Sequence, residues 1–269
     1  MKKFFFLYIF FFLINSCEKE IDLDLDDISG DLVIEGNLSD QAGPHTVKIT
    51  QSVPFTAQNQ YPFVSDAVVT VSDDIGQTET LQYAGNGEYK TANFTTSPGK
   101  LYTLNIKAKG KEYTAQSRMP QPVSFDGLDQ DSFFIGGEPT YTLLPLFTDP
   151  QEFGNRYLFS LTINNNPKKT LQTFSDNFNN GILNQRPLIL PNNDANPNDQ
   201  KVKVGDLIHV EMQCIDASIF TFYNALLQIS GNGGPGGGIT PTNPPSNISN
   251  GALGYFSAHT SRKQSIVIQ

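Results

Sequence analysis

Short segments in which apolar and polar residues alternate recur along most of this chain. Three of them are DLVIEG at residues 31–36, HTVKITQ at 45–51 and AVVTVSD at 67–73, separated by clusters of Gly, Pro, Asn or Asp. A period of two places successive side chains on opposite faces of a strand, and strands spaced by about eight to twelve residues are typical of a sandwich. We therefore expect a mainly β protein.

Two turns refine this expectation for residues 30–119. Lys109–Lys111 form a Gly-centred turn between two alternating segments, which predicts a β-hairpin. Residues 64–77, VSDAVVTVSDDIGQ, combine a strand with an Asp-rich turn that ends in Gly76, and they resemble the hairpin of Ig-like or carboxypeptidase-regulatory-like modules. The prolines of MPQPVSF then leave the sheet, so we expect an Ig-like β-sandwich that ends near Met119.

Residues 120–269 are predicted to form a second β-rich domain with one covering helix. Its strand-like segments are TYTLLPLFTD, NRYLFSLTINN, KKTLQTFS and VGDLIHVEMQCID, joined by long polar loops. A helix is expected near 217–229 because Asp216 can cap it and apolar residues recur at helical spacing from Ile219 to Leu227, with Gly231 after the end. We assign its apolar face to the core beneath it.

The first sixteen residues have the layout of an export signal. Lys2 and Lys3 precede an apolar run from Phe4 to Ile14, which is shorter than the roughly twenty residues of a membrane-spanning helix. Ile14, Asn15 and Ser16 then lead directly into Cys17, an order that resembles the lipobox of bacterial lipoproteins. We expect residues 1–16 to be removed and Cys17 to be acylated, which anchors the chain to a membrane.

We interpret residues 17–29 as an acidic tether, in which the segment EKEIDLDLDD follows the cysteine. Its charges repel one another and anionic lipid, so it should be extended. An EF-hand loop is the weaker interpretation, because positions 6 and 12 counted from Asp22 are Asp27 and Val33 instead of Gly and Glu. Acidic residues after a lipidated cysteine resemble the surface-export signal of Bacteroidota lipoproteins. This resemblance favours a location in the outer membrane and is compatible with a protein that faces outward.

Charge and cysteine content limit the classes of function. The formal net charge of -9 becomes about -11 when Lys2 and Lys3 are removed, which disfavours electrostatic binding to nucleic acid. Once Cys17 is acylated only Cys214 remains, so no intramolecular disulfide can form. Cys214 alternates with Ile208, Val210 and Met212 and is expected to be a buried thiol, whereas His209 lies on the opposite, polar face of the same strand.

No catalytic, cofactor-binding or metal-binding residue is assigned from the sequence. The chain has no Gly-x-Ser-x-Gly, and His45, His209 and His259 lack the spacing of zinc ligands, although distant segments could still assemble a site. Gly231, Gly233 and Gly236 match Gly-x-Gly-x-x-Gly, but they follow a helix instead of opening one, so we interpret the loop as a connector that could also contact a partner. The acids available for glycoside hydrolysis are Glu35, Glu88, Asp149 and Glu152, and nothing in the sequence chooses between them.

Several blocks together resemble a known family. EIDLDL after the cysteine, LVIEGNLSDQAGPHTVKITQSVPF, VSDAVVTVSDDIGQ and the ending NPPSNISNGALGYFSAH are similar to the Bacteroidota lipoprotein family called domain of unknown function 4249. Members often lie in gene neighbourhoods with TonB-dependent outer-membrane receptors, so the resemblance implies an accessory role at the cell surface. It implies no activity, no cofactor and no site residue except the lipidated Cys17.

Three functions remain open at this point. The sequence favours a non-enzymatic, outer-membrane-anchored accessory or ligand-binding partner of a TonB-dependent receptor. The alternatives are a free-standing surface module that binds glycan or peptide and, less favoured, a cell-surface hydrolase. The absence of Trp weakens a sugar-stacking surface, although Tyr and Phe can take its place.

Overall fold

The computed structural model describes residues 30–54, 57, 60–135, 137–164, 166–176, 180–191, 201–230 and 243–269. The signal at 1–16, Cys17 with the tether to residue 29, and the loop with Gly231, Gly233 and Gly236 lie outside the described residues. The interpretations made for those segments stay predictions.

Fifteen strands and one helix are found in the described part of the chain. The first eight strands are β1 (Leu32–Ser39), β2 (Thr46–Gln51), β3 (Val68–Asp73), β4 (Thr78–Thr80), β5 (Gln82–Gly85), β6 (Glu88–Lys90), β7 (Leu101–Ala108) and β8 (Lys111–Arg118). The others are β9 (Gly127–Ile135), β10 (Glu138–Leu146), β11 (Arg156–Ile163), β12 (Thr170–Ser175), β13 (Leu188–Ile189), β14 (Leu207–Cys214) and β15 (Leu253–Val267). The helix α1 (Ala217–Ile229) lies between β14 and β15. The predicted mainly β fold with one covering helix is confirmed.

The strands form three sheets. The largest has eight strands in the order β12-β11-β14-β15-β1-β2-β6-β5, and the others are β4-β3-β7-β8 and β13-β10-β9. Part of the large sheet packs on the four-stranded sheet, and its β11–β12–β14 part shares a core with the three-stranded sheet. Each pair of sheets buries the inward residues of alternating strands between two layers, as in a sandwich.

The predicted hairpins have the turn chemistry that their residues indicate. Lys109 and Gly110 both have positive φ, 49° and 73°, which joins β7 to β8 by a two-residue turn. In the β3–β4 hairpin the Asp73 carboxylate accepts from the backbone N–H groups of Ile75 and Gln77, and Gly76 has a φ of 100°. Local sequence signals were sufficient at both turns.

The described residues form three apolar clusters: a small one of Leu158, Ile215 and Ile219 lies under α1, and two larger ones fill the layers. The first of the larger clusters contains buried residues from Leu32 to Met119 and also Ile248, Ala252, Phe256 and Ala258. The second runs from Val123 to Ile268. The C-terminal segment therefore contributes to both cores.

The strand β15 connects the two halves of the large sheet. Residues 253–259 pair in parallel with β1, and residues 260–267 pair antiparallel with β14. The alternation of apolar and polar residues does not predict this strand. The residues from Phe256 to Thr260 are buried on both faces, and polar side chains such as Ser257 and His259 occupy inward positions, so the apolar–polar period is lost.

The helix begins at the residue that the sequence predicts. The Asp216 Oδ1 atom accepts from the backbone N–H groups of Ser218 and Ile219 at 2.9 and 3.0 Å, which satisfies two free donors of the first turn. The other carboxylate oxygen accepts from the Ser117 hydroxyl of β8. The cap thus fixes the helix against the N-terminal sandwich as well as starting it.

Candidate ligand-binding pocket

A cavity of about 370 Å³ lies between α1 and the outer face of the large sheet. Four described segments and a short stretch before β15 contribute to its walls. The lining residues are Val33 and Glu35 of β1, Leu171 of β12, Phe222, Tyr223 and Leu226 of α1, Leu253, Gly254 and Tyr255 of β15, and Asn243 with Pro244. The volume lies within the range of small-ligand sites, which is roughly 300–1,000 Å³.

The floor of this pocket is set by the parallel register of β1 and β15. Val33 lies beside Leu253, and Glu35 lies beside Tyr255, so both pairs share the face that α1 covers. The opposite face, with Ile34 and Phe256, belongs to the first core. Because strand register is fixed by this buried face, the floor residues are held in place by packing beneath the site.

Three aromatic rings form one wall. The ring centroids of Phe222 and Tyr255 are 4.9 Å apart, those of Tyr223 and Tyr255 are 5.2 Å apart, and those of Phe222 and Tyr223 are 5.4 Å apart. The interplanar angles of 46°, 55° and 88° are tilted or edge-to-face, which are the favoured arrangements for aromatic pairs. Two helix residues and one strand residue thus form a rigid aromatic cluster.

The polar groups of the pocket are few. Burial raises the pKa of the Tyr223 and Tyr255 hydroxyls, and the nearby Glu35 charge raises them further, so both hydroxyls stay protonated. The Tyr255 hydroxyl accepts from the Asn37 Nδ2 atom at 3.3 Å. The Glu35 side chain is exposed, and it forms neither a salt bridge nor a hydrogen bond with the described residues. Glu35 is therefore available to a ligand.

The four acids named from the sequence are not brought together. Glu35 alone of them lines the pocket. Glu88 forms a salt bridge with Lys90 at 2.9 Å, Glu152 is exposed in a loop, and Asp149 is buried at 1% exposure. The Asp149 carboxylate accepts from the Tyr157 hydroxyl inside the second half of the chain.

The predictions for Cys214 and His209 are confirmed. Cys214 is 5% exposed and packs in the second core with Ile208, Val210 and Met212. Burial raises the pKa of its thiol above the ordinary value. His209 is exposed on the other face of β14, where its Nδ1 atom lies 2.7 Å from the Ser265 hydroxyl.

Near the pocket the large sheet buries a row of polar side chains that the sequence did not indicate. The His259 Nδ1 atom lies 3.0 Å from the Ser257 hydroxyl, and the Ser261 hydroxyl donates to Glu211 at 2.6 Å. Burial lowers the pKa of His259 to about 4, so its imidazole is neutral. At 4% exposure this histidine is part of the sheet interior.

Two further properties concern only the residues that the structure describes. Within them, no three His, Cys, Asp or Glu side chains are grouped closely enough to hold a metal ion. No helix among them is both long and apolar enough to cross a membrane.

Comparison with known proteins identifies the family. The family described as "Domain of unknown function (DUF4249)" matches residues 18–265, nearly the whole chain after Cys17. The chain belongs to this DUF4249 family. No curated protein matches this DUF4249 chain.

Two solved structures show distant likenesses to the DUF4249 chain. A two fibronectin type-III domain segment from chicken tenascin is 13% identical, with a TM-score of 0.24, and the match covers 70% of this chain and 91% of that chain. A cytokine receptor complex is 9% identical, also with a TM-score of 0.24, over 87% of this chain and 94% of that chain. Likenesses at this level bear on neither function nor domain arrangement.

Proposed function

We propose that this DUF4249 protein is a lipid-anchored, non-enzymatic protein of the outer membrane that binds a small ligand as the accessory partner of a TonB-dependent receptor. The observation that carries the binding role is the pocket between α1 and the β1–β15 pair. Its walls are held by a capped helix and by a strand pair packed on a core, which is the rigid support that a binding site needs.

The anchoring part of the proposal rests on the N-terminal sequence. Cys17 follows an apolar run and precedes an acidic tether of about a dozen residues before Gly30, where the described chain begins. An extended tether of this length spans at most roughly 40 Å from the lipid surface. The pocket would thus work within a short distance of a receptor in the same membrane.

A binding role fits the pocket better than a hydrolytic one. General acid–base hydrolysis of a glycoside needs two carboxyl groups about 5–10 Å apart on either side of the bond that is cleaved. Glu35 is the single carboxylate among the described residues that line this pocket. Its aromatic and aliphatic neighbours supply contact surface instead of proton transfer.

Affinity capture tests the proposal. The tagged protein with Cys17 intact is extracted gently from outer membranes, and the proteins that accompany it are identified by mass spectrometry, with Cys17→Ser as the unacylated control. A TonB-dependent receptor in near-equal amount, together with a mass that shows an acylated Cys17, is the expected result. An acylated protein that comes down alone would contradict the accessory role and favour the free-standing binding module.

A further inference from the structure

We infer that the pocket selects a small organic cation, in which an ammonium or quaternary ammonium group is joined to an apolar body. This inference rests on the proposed binding function and adds the chemical class of the ligand. It depends on three properties of the described lining residues: the sign of their charge, the faces of their aromatic rings and the scarcity of hydrogen-bonding groups.

The charge of the lining is negative. Among the described residues that line the pocket, Glu35 carries the single formal charge, and none of them is Lys, Arg or His. Lys48 is the partner of Glu35 across β1 and β2, yet the two form no salt bridge within 4.0 Å, and Lys48 also faces Glu88 of β6. A cation entering the pocket would meet an unpaired carboxylate, whereas an anion would meet repulsion.

The aromatic wall adds to this preference. A cation within about 6 Å of a ring centroid is attracted by the negative face of the ring. The Phe222, Tyr223 and Tyr255 rings pack against one another at centroid distances of 4.9–5.4 Å, so a cation would lie on the pocket side of this cluster and not between its rings. Tyr255 is the strand neighbour of Glu35, so ring and carboxylate act on the same end of the pocket.

The rest of the lining suits an apolar body and disfavours a sugar. Val33, Leu171, Leu226, Leu253 and Pro244 surround the remaining volume. A hydroxyl-rich ligand loses its hydrogen bonds to water on entry, and each loss costs free energy unless the site supplies a replacement. Besides Glu35, the described lining offers the Asn243 amide, two tyrosine hydroxyls and backbone groups, and the Tyr255 hydroxyl already accepts from Asn37.

The test is calorimetric titration of the full mature chain in non-ionic detergent with three probes of similar shape. Benzyltrimethylammonium is the cation, 2-phenylethanol is the neutral probe, and phenylacetate is the anion. We expect the cation to bind at least tenfold more tightly than the neutral probe, and phenylacetate to bind more weakly than either.

Variants locate the binding. Glu35→Gln should weaken the binding of the cation at least tenfold and leave the affinity for the neutral probe nearly unchanged, because it removes the charge and keeps the shape of the side chain. Tyr255→Leu should weaken the binding of the cation, because it removes one of the aromatic rings. The matched control is Glu152→Gln, which removes an exposed acid from a loop outside the pocket and should leave all three affinities as in the parent.

The outcomes separate this inference from the proposed function. Equal or tighter binding of the neutral or anionic probe, an unchanged cation affinity in a folded Glu35→Gln variant, or no binding of any probe would each overturn the ligand class. A receptor captured by a protein that binds no cation would leave the accessory role standing. Cation binding by a protein that captures no receptor would leave the ligand class standing.

Discussion

A β carbon on Gly254 would stand 2.1 Å from the carbonyl oxygen of Ile34. The two residues are partners in the parallel pair of β15 and β1, and Gly254 has a φ of 91°, in the left-handed region that side chains avoid. This glycine therefore permits the close approach of the two strands that form the floor of the pocket.

Replacing Gly254 by Ala should destabilise the protein strongly. Positive φ alone costs about 1–2 kcal/mol for a residue with a side chain, and the clash with the Ile34 carbonyl forces β15 away from β1, so we expect a loss of more than about 3 kcal/mol. Urea unfolding of the chain beginning at Glu18 measures it. Gly76→Ala is the control, because Gly76 has a φ of 100° with no atom within 4 Å, and it should cost only the conformational part. Equal losses in the two variants would refute the role of the close approach.

Local signals explain what the sequence could predict here. The Lys109–Gly110 turn and the Asp216 cap depend on residues next to one another, and both are where the sequence places them. The pocket could not be predicted, because its residues come from β1, β12, α1 and β15, which only the sheet order brings together. Tyr223 illustrates this: helical spacing assigns it to a core, and it does pack against the cluster under α1, but spacing gives no sign that it also lines a cavity.

Removing the helix cap should loosen the pocket wall. Asp216→Ala deletes the acceptor for the Ser218 and Ile219 backbone N–H groups and the partner of the Ser117 hydroxyl. Loss of an N-cap costs about 0.5–2 kcal/mol, and the lost contact with β8 places our expectation in the upper part of that range. Asp216→Asn keeps a capping oxygen and should lose less than half as much. Chemical denaturation measures the stability of both variants. An Asn variant as unstable as the Ala variant would show that the loss of capping does not cause the destabilisation.

His259 should make the protein less stable in mild acid. Burial lowers its pKa from 6.5 to about 4, so above pH 6.5 the folded and unfolded states are both neutral and this contribution is fully present. As the pH falls from 6.5 towards 4, the unfolded chain binds a proton that the folded chain does not, and up to roughly 3 kcal/mol is lost by pH 4.

The difference between parent and His259→Gln isolates this effect. The variant should lose stability less steeply between pH 6.5 and 4.5, even if it is less stable at pH 7 because the contact with Ser257 changes. The buried His45 is present in both proteins, and burial lowers its pKa too, so its own acid sensitivity appears in both curves. His209→Gln, on the exposed face of β14, controls for replacing a histidine by glutamine. Parallel pH curves for parent and His259→Gln would contradict the prediction.

For the buried pair of Asp149 and Tyr157 we expect two conservative variants to differ in their free energy of unfolding. Both residues are at most 2% exposed, the Tyr157 hydroxyl donates to the carboxylate, and the Asp149 Oδ2 atom has no partner among the described residues. Burial and the nearby Asp176 raise the pKa of Asp149, which means that the fold tolerates its charge poorly.

Tyr157→Phe removes the side-chain donor of this carboxylate and should cost about 2–4 kcal/mol at pH 7, because a buried charge then loses its hydrogen bond. Asp149→Asn keeps an acceptor for the Tyr157 hydroxyl and removes the charge, so we expect it to be nearly neutral or stabilising. Thermal and urea unfolding of both variants measure the difference. The control is Tyr141→Phe, because the Tyr141 side chain makes no hydrogen bond to the described residues. If Asp149→Asn lowered the stability more than Tyr157→Phe, the charge of Asp149 would stabilise the fold. That result would contradict the raised pKa of this carboxyl.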